Sequence, residues 1–171
     1  MVRKQIKING HYRKGIPARK IIVTADDLIE AFDTHFEETA YYLDLQKGIV
    51  ILVSEFDDTD NLKEKIESDM TGRYVYIEPI PSLEGYQQME DFIAMVSDKN
   101  LQEKLLIAIS GTGAFHRFKE VLLTHPEERQ RWFDFHEKMI TEYTKEWISN
   151  LNRELEKNPK TKYGDMIVWV Q

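Results

Sequence analysis

The chain has 171 residues and no cysteine. That one absence excludes disulfides, thiolate nucleophiles, iron–sulfur clusters and cysteine-ligated zinc, and it fits a reducing compartment. No apolar run approaches the ~18 residues that a membrane span needs, so no membrane partner is expected. The opening stretch MVRKQIKINGHYRKGI lacks the continuous apolar segment of a secretory signal, and a cytoplasmic location is expected. Acidic residues are absent from positions 1–20, which carry seven Lys and Arg. The rest of the chain holds 16 basic and 30 acidic residues, a net charge of −14. A body this acidic repels a phosphate backbone, so nucleic acid is an expected partner only through residues 1–20.

The motifs of familiar chemistry are also missing. There is no H-E-x-x-H, no G-x-S-x-G and no G-K-[ST] phosphate loop, which removes the usual zinc-protease, serine-hydrolase and nucleotide-triphosphate signatures. The acidic stretch EFDDTDN (55–61) lacks the glycine and terminal glutamate of a calcium loop and reads as a solvated loop. His116, His125 and His136 do not fall on one helical turn, so no metal is expected. Nothing in the pattern requires a cofactor.

What is present is a folded composition. Hydrophobic residues make up 42% and charged residues 31%, and the length suits one domain with a real core. Residues 1–20 are expected to be a basic arm and residues 21–171 a single domain. Along the chain, KQIKI (4–8) has the alternation of a short edge strand. Thr24, followed by Asp27, resembles a capping box opening the helix DDLIEAFD. TAYYLDL (39–45) and IVILVS (49–54) read as strands joined by a tight turn at Gly48. The second of them is almost continuously apolar and is expected to be buried on both faces. A helix over 61–69 and a strand over 73–79, ended by Pro79, follow.

Helices then take over, at 82–96 with Ser82 as cap, 101–110, 114–125 and 127–157, and MIVWV (166–170) closes the chain as a strand. Strands first and helices second predict an α+β fold: a small, mainly antiparallel sheet packed against four or five helices, with a long C-terminal helix.

ISGTGAFHRFK (109–119) is the most informative stretch. Its glycines invite comparison with a dinucleotide loop, but that loop needs a strand before it, a third glycine, and a strand-end acid about 20 residues on. Leu101, Leu105 and Ile109 keep helical spacing, and the acid at that distance, Asp134, sits inside a helical pattern. A corner between helices fits better, with Gly111 ending one helix in the left-handed conformation and Thr112 capping the next. The two readings are compatible, because a helix start beside Arg117 and Lys119 also offers an anion-binding position. Thr112, Gly113, Arg117 and Lys119 are therefore the candidate anion-binding residues.

Several segments together resemble an uncharacterised family of small bacterial proteins. They are TAYYLDLQKGIVILV, EPIPS, YQQMEDFI, ISGTGAFHRFKEVL and PEERQRWFDF, and the likeness extends over about residues 24–150. It implies the same fold and brings no assigned activity with it.

Glu90, at the edge of the face made by Tyr86, Met89 and Ile93, is expected to be half-buried and paired with Arg117. With Asp91 and His116 it is the supporting or alternative acid/base set. His136 lies near the centre of the apolar stripe Trp132, Met139, Ile140, Tyr143 and Trp147, where a histidine is more often held by hydrogen bonds than used as a ligand. Asp44 is expected to anchor the turn that follows it.

The function expected from these features is a non-catalytic cytoplasmic binding or regulatory module. It acts through a protein partner, self-association or a small anionic ligand. An enzyme working on a phosphorylated or nucleotide substrate through Glu90, Asp91, Arg117 and His116 is the alternative, followed by nucleic-acid binding through residues 1–20.

Overall fold

A computed structural model describes residues 20–34, 38–54, 60–157 and 166–170. The expected edge strand at 4–8, the basic arm and most of the acidic stretch at 55–61 lie outside these residues. Among the described residues, five strands and six helices follow in the order β1 (Lys20–Thr24), α1 (Ala25–Asp33), β2 (Thr39–Asp44), β3 (Ile49–Ser54), α2 (Asp60–Glu67), β4 (Tyr74–Ile77), α3 (Ser82–Ala94), α4 (Lys99–Ile109), α5 (Ala114–Leu123), α6 (Pro126–Lys157) and β5 (Met166–Val170). The fold is α+β, with the long helix near the C-terminal end.

The three-stranded sheet is antiparallel in the order β3-β2-β4. Tyr41 pairs with Leu52 on one side and Ile77 on the other. This order corrects the expectation for IVILVS. β2 is the central strand and β3 lies at an edge, so Ile49 and Leu52 remain 44% and 47% exposed. A continuous apolar run is compatible with a half-covered edge strand, and the run alone cannot distinguish the two. β1 and β5 form a separate parallel pair with Ile22 opposite Val168. At Gly48, with φ of +72°, an added Cβ would stand 2.5 Å from the carbonyl oxygen of Ile22. The tight turn thus also sets how closely β1 approaches the start of β3.

Two apolar clusters lie side by side. In the first, Phe32 and Leu28 of α1 pack with Leu43, Ile77, Ile21, Ile148 and Leu151. Tyr143 and Trp147 meet the Phe32 ring edge-on at 5.1 and 5.5 Å. In the second, Met89, Phe92, Ile93, Leu101, Leu105, Phe118 and Leu122 pack with Trp132. Phe92, Phe118 and Trp132 form an edge-to-face group, with Phe118 and Trp132 centred 4.8 Å apart, a geometry that aromatic rings favour. The 32-residue α6 contributes its first third to the second cluster and the remainder to the first. At 1.5 Å per residue it is about 48 Å long. The link EPIP (78–81) also joins the clusters, with the Ile80 N–H donating to the Phe32 carbonyl at 3.0 Å.

Local capping differs from expectation at two helix starts. Thr24 stands at the N-cap of α1 but accepts no capping hydrogen bond through its side chain. Pro81 occupies the N-cap of α3, leaving Ser82 as the first helical residue. The break at 97–100 does carry a side-chain cap, since Asp98 accepts from the N–H groups of Asn100 and Leu101 at 2.9 and 3.3 Å.

Candidate functional site

Three places gather the polar side chains that the sequence singles out. The first is the corner between α4 and α5. The run KNLQEKLLIAI buries Leu101, Leu105, Ala108 and Ile109 against the neighbouring helices. It stops where Gly111 and Gly113 take φ values of +79° and +74°, a region costly for residues bearing a Cβ. Gly113 itself is the N-cap of α5, with no side-chain cap. This corrects the assignment of Thr112, which is exposed and caps nothing.

Arg117, one turn into α5, reaches back across the corner. Its Nε donates to the Ala108 carbonyl at 2.9 Å, and one terminal nitrogen donates to the Ser110 carbonyl at 2.5 Å. The other terminal nitrogen donates to the Thr112 carbonyl. A helix leaves its last carbonyls without intrahelical partners and carries partial negative charge at that end. One guanidinium answers both needs. The expected Arg117–Glu90 pair does not form, because the guanidinium is committed to main-chain oxygens. Glu90 is exposed rather than half-buried.

The remaining residues of this set are on the surface. Asp91 accepts from the Gln87 side-chain amide at 3.1 Å. His116 pairs with Glu120 one turn on, at 3.3 Å, with four-fifths of its side chain exposed. Lys119 is exposed. Glu90 and Asp91 belong to α3, whereas His116 and Lys119 belong to α5.

The second place is the seam between the two apolar clusters. His136 lies on α6 four residues after Trp132, and their rings stack 5.1 Å apart at an interplanar angle of 16°. Nε2 of His136 is 3.0 Å from Asp33 Oδ1 at the end of α1, and Nδ1 is 3.0 Å from Gln88 Oε1 on α3. Both ring nitrogens are thus engaged, and three helices are tied together.

Beside the seam, α3 and α6 enclose an open groove of about 510 Å³ lined by Glu84, Gln88, Met139, Glu142, Tyr143, Lys145 and Glu146. Burial raises the Tyr143 hydroxyl above its ordinary pKa, and the charges of Glu84, Glu78 and Glu146 push it the same way. Helical spacing places Met139, Tyr143 and Glu146 on neighbouring turns of α6. It says nothing of α3, so the groove was not readable from sequence.

The third place is Asp44, fully buried at the end of β2. It accepts the Gln46 and Lys47 N–H groups at 2.8 and 3.2 Å, anchoring the turn as expected. It also accepts a two-pronged pair from Arg73, with Nε at 2.9 Å from one oxygen and a terminal nitrogen at 2.6 Å from the other. Burial alone would raise the Asp44 pKa. The Arg73 and backbone hydrogen bonds, with the Arg73 charge, outweigh that and hold it below the ordinary value. Arg73 stands 29 residues away, with no local signal linking it to Asp44. Among the described residues, no three His, Asp or Glu side chains converge to hold a metal ion, and no helix is long and apolar enough to cross a membrane.

The elements and these three places define an α+β protein whose polar clusters brace a corner, a seam and a turn. The chain belongs to UPF0158, an uncharacterised protein family whose model matches residues 18–160. That span contains all the segments on which the family resemblance rested.

A UPF0158 protein of Pseudomonas aeruginosa is 26% identical over 132 residues, covering 77% of this chain and 84% of that one. UPF0158 proteins of Chlamydia trachomatis and Chlamydia muridarum are each 24% identical over 139 residues, covering 79% of this chain but 42% of theirs. This chain therefore spans less than half the length of those chlamydial relatives. No solved structure matches it.

Proposed function

We propose that the chain is a non-catalytic cytoplasmic binding or regulatory module that acts through protein contacts, with residues 21–171 working as one domain. The observation that carries this is the commitment of the groups best suited to chemistry. Arg117 is spent on three carbonyls, and His136 has both nitrogens engaged. A general base needs a free lone pair within reach of substrate, and in this arrangement the His136 ring nitrogens are directed at Asp33 and Gln88. The chlamydial relatives add support, since a unit that fills 42% of a longer chain suits a module.

A small anionic ligand is the second reading. The N–H groups at the start of α5 have no side-chain cap, and Thr112, Gly113, Arg117 and Lys119 are the residues proposed to serve such a ligand. A helix N-terminus of this kind favours negative charge.

Native mass spectrometry of gently purified full-length protein separates the two. Protein-sized adducts or an oligomer, without small-ligand mass, are expected. A reproducible small anionic adduct that disappears in Lys119→Ala would overturn the protein-contact reading in favour of the anion.

A further inference from the structure

We infer that β3 pairs antiparallel with β3 of a second copy of this chain, joining two three-stranded sheets into one continuous sheet. This rests on the protein-contact reading and makes self-association its form. An edge strand directs the N–H and C=O of every second residue away from its neighbour, which makes it a template for a further strand. Among the described residues, β2 is the one strand paired with β3, and no other main-chain hydrogen bond reaches residues 49–53.

The other strand edges are blunted, each by a visible device. Beside β5, the Asn152 side-chain amide takes both main-chain groups of Ile167. The Ile167 N–H donates to Asn152 Oδ1 at 2.7 Å, and Asn152 Nδ2 donates to the Ile167 carbonyl at 3.1 Å. One side chain fills the place of a neighbouring strand. Beside β1, the Ile22 carbonyl lies against Gly48. β4 has four residues and is bounded by Arg73, Glu78 and Pro79, which discourage a further strand. By contrast, IVILVS has six residues with no charge, proline or glycine among them. Ile49 and Leu52, three residues apart and so on opposite faces of the sheet, are left half-exposed. Soluble proteins normally cover an edge of this kind.

The occupant that fits is the same strand. A two-fold axis normal to the sheet sets outward N–H groups of one copy opposite outward carbonyls of the other. Each copy carries a net charge of −7, so association is opposed wherever charged surfaces meet. β3 brings no charge to the contact, and pairing covers Ile49 and Leu52 on the two faces at once.

Sedimentation equilibrium of the full chain is expected to show a reversible dimer. Leu52→Lys and Leu52→Glu, made separately, bring like charges together across the two-fold axis and should each weaken dimerisation about fivefold to tenfold. An equimolar mixture of the two sets Lys against Glu and should restore dimerisation to within about twofold of the native chain. Recovery on mixing requires two folded chains, so it separates lost pairing from lost fold. Ile107→Lys and Ile107→Glu, at an exposed position of α4, should each change dimerisation less than about twofold.

A chain that stays monomeric, a dimer indifferent to Leu52, a loss that mixing does not recover, or an equal loss in the Ile107 variants would each overturn β3 as the contact. Should the chain stay monomeric while native mass spectrometry shows adducts of a different protein, this proposal falls and the module reading stands. A small anionic adduct with no protein adduct removes that reading itself.

Discussion

The sheet half and the helical half of this molecule are held together by different physics. In the helical half, α3, α4 and α5 follow one another closely in sequence and close on a dry group of three aromatic rings. In the sheet half, strands far apart in sequence must meet, and a buried charge pair fixes where one turn sits. Local apolar packing tolerates imprecision that a buried carboxylate does not. The sheet half should therefore be sensitive to pH and the helical half to side-chain volume.

The largest effect should come from volume. Phe92→Ala removes a ring packed on Phe118, Trp132 and Phe135 and should cost about 3–5 kcal/mol, read from urea denaturation. Asp44→Asn comes next. It removes the charge that answers Arg73 inside the fold and should cost about 3 kcal/mol. Comparable losses in hydrogen-exchange protection across both halves, after either substitution, would break the contrast and show one cooperative unit.

The pH dependence sharpens it. The folded Asp44 pKa lies below its ordinary value of 3.8, so the unfolded chain binds the proton more readily. The pair's stabilisation is fully present above the unfolded value and is lost as pH falls through the folded one. Acid titration of stability should show this loss in the native chain, and Asp44→Asn should flatten it.

Smaller effects belong to the corner and the seam. Gly111→Ala places a Cβ at φ +79°, with nothing within 4 Å to clash, so only backbone strain acts, about 1–2 kcal/mol. His136→Phe leaves Asp33 and Gln88 without the imidazole that joins them. It should cost about 1–2 kcal/mol in thermal or chemical denaturation. Thr112→Ala, at an exposed position that caps nothing, should stay within about 0.5 kcal/mol. A larger cost there would restore Thr112 as a cap.

How much could be read from the sequence follows the same division. Helices α3 to α6 were legible because Leu101, Leu105 and Ile109, or Phe118 and Leu122, repeat at the spacing of one helical face. The glycine corner was legible because few residues accept its backbone angles. The position of β3 at the sheet edge was not, since an apolar strand reads alike at an edge and in the middle. β1 was missed as a strand: KIIVT is short, its partner β5 is far along the chain, and Thr24 drew attention as a cap. At the candidate site, Arg117 was identified but its partner was not. Carbonyl acceptors have no side-chain signature, so a carboxylate was the visible choice. The Asp44–Arg73 pair and the Gln88–His136 hydrogen bond depend on contacts between distant elements, which spacing does not encode.

The pairing of β1 with β5 has a consequence for how the chain is made. Thr24 leaves the ribosome 146 residues before its partner Val170. At ~5–20 residues per second, that is a wait of roughly 7–30 s. During that time α3, α4 and α5 can fold against each other as they emerge, because their partners are local. β1, the first strand among the described residues, is therefore among the last of them to be paired. Until β5 emerges, the apolar segment Ile21, Ile22 and Val23 lacks the strand it pairs with.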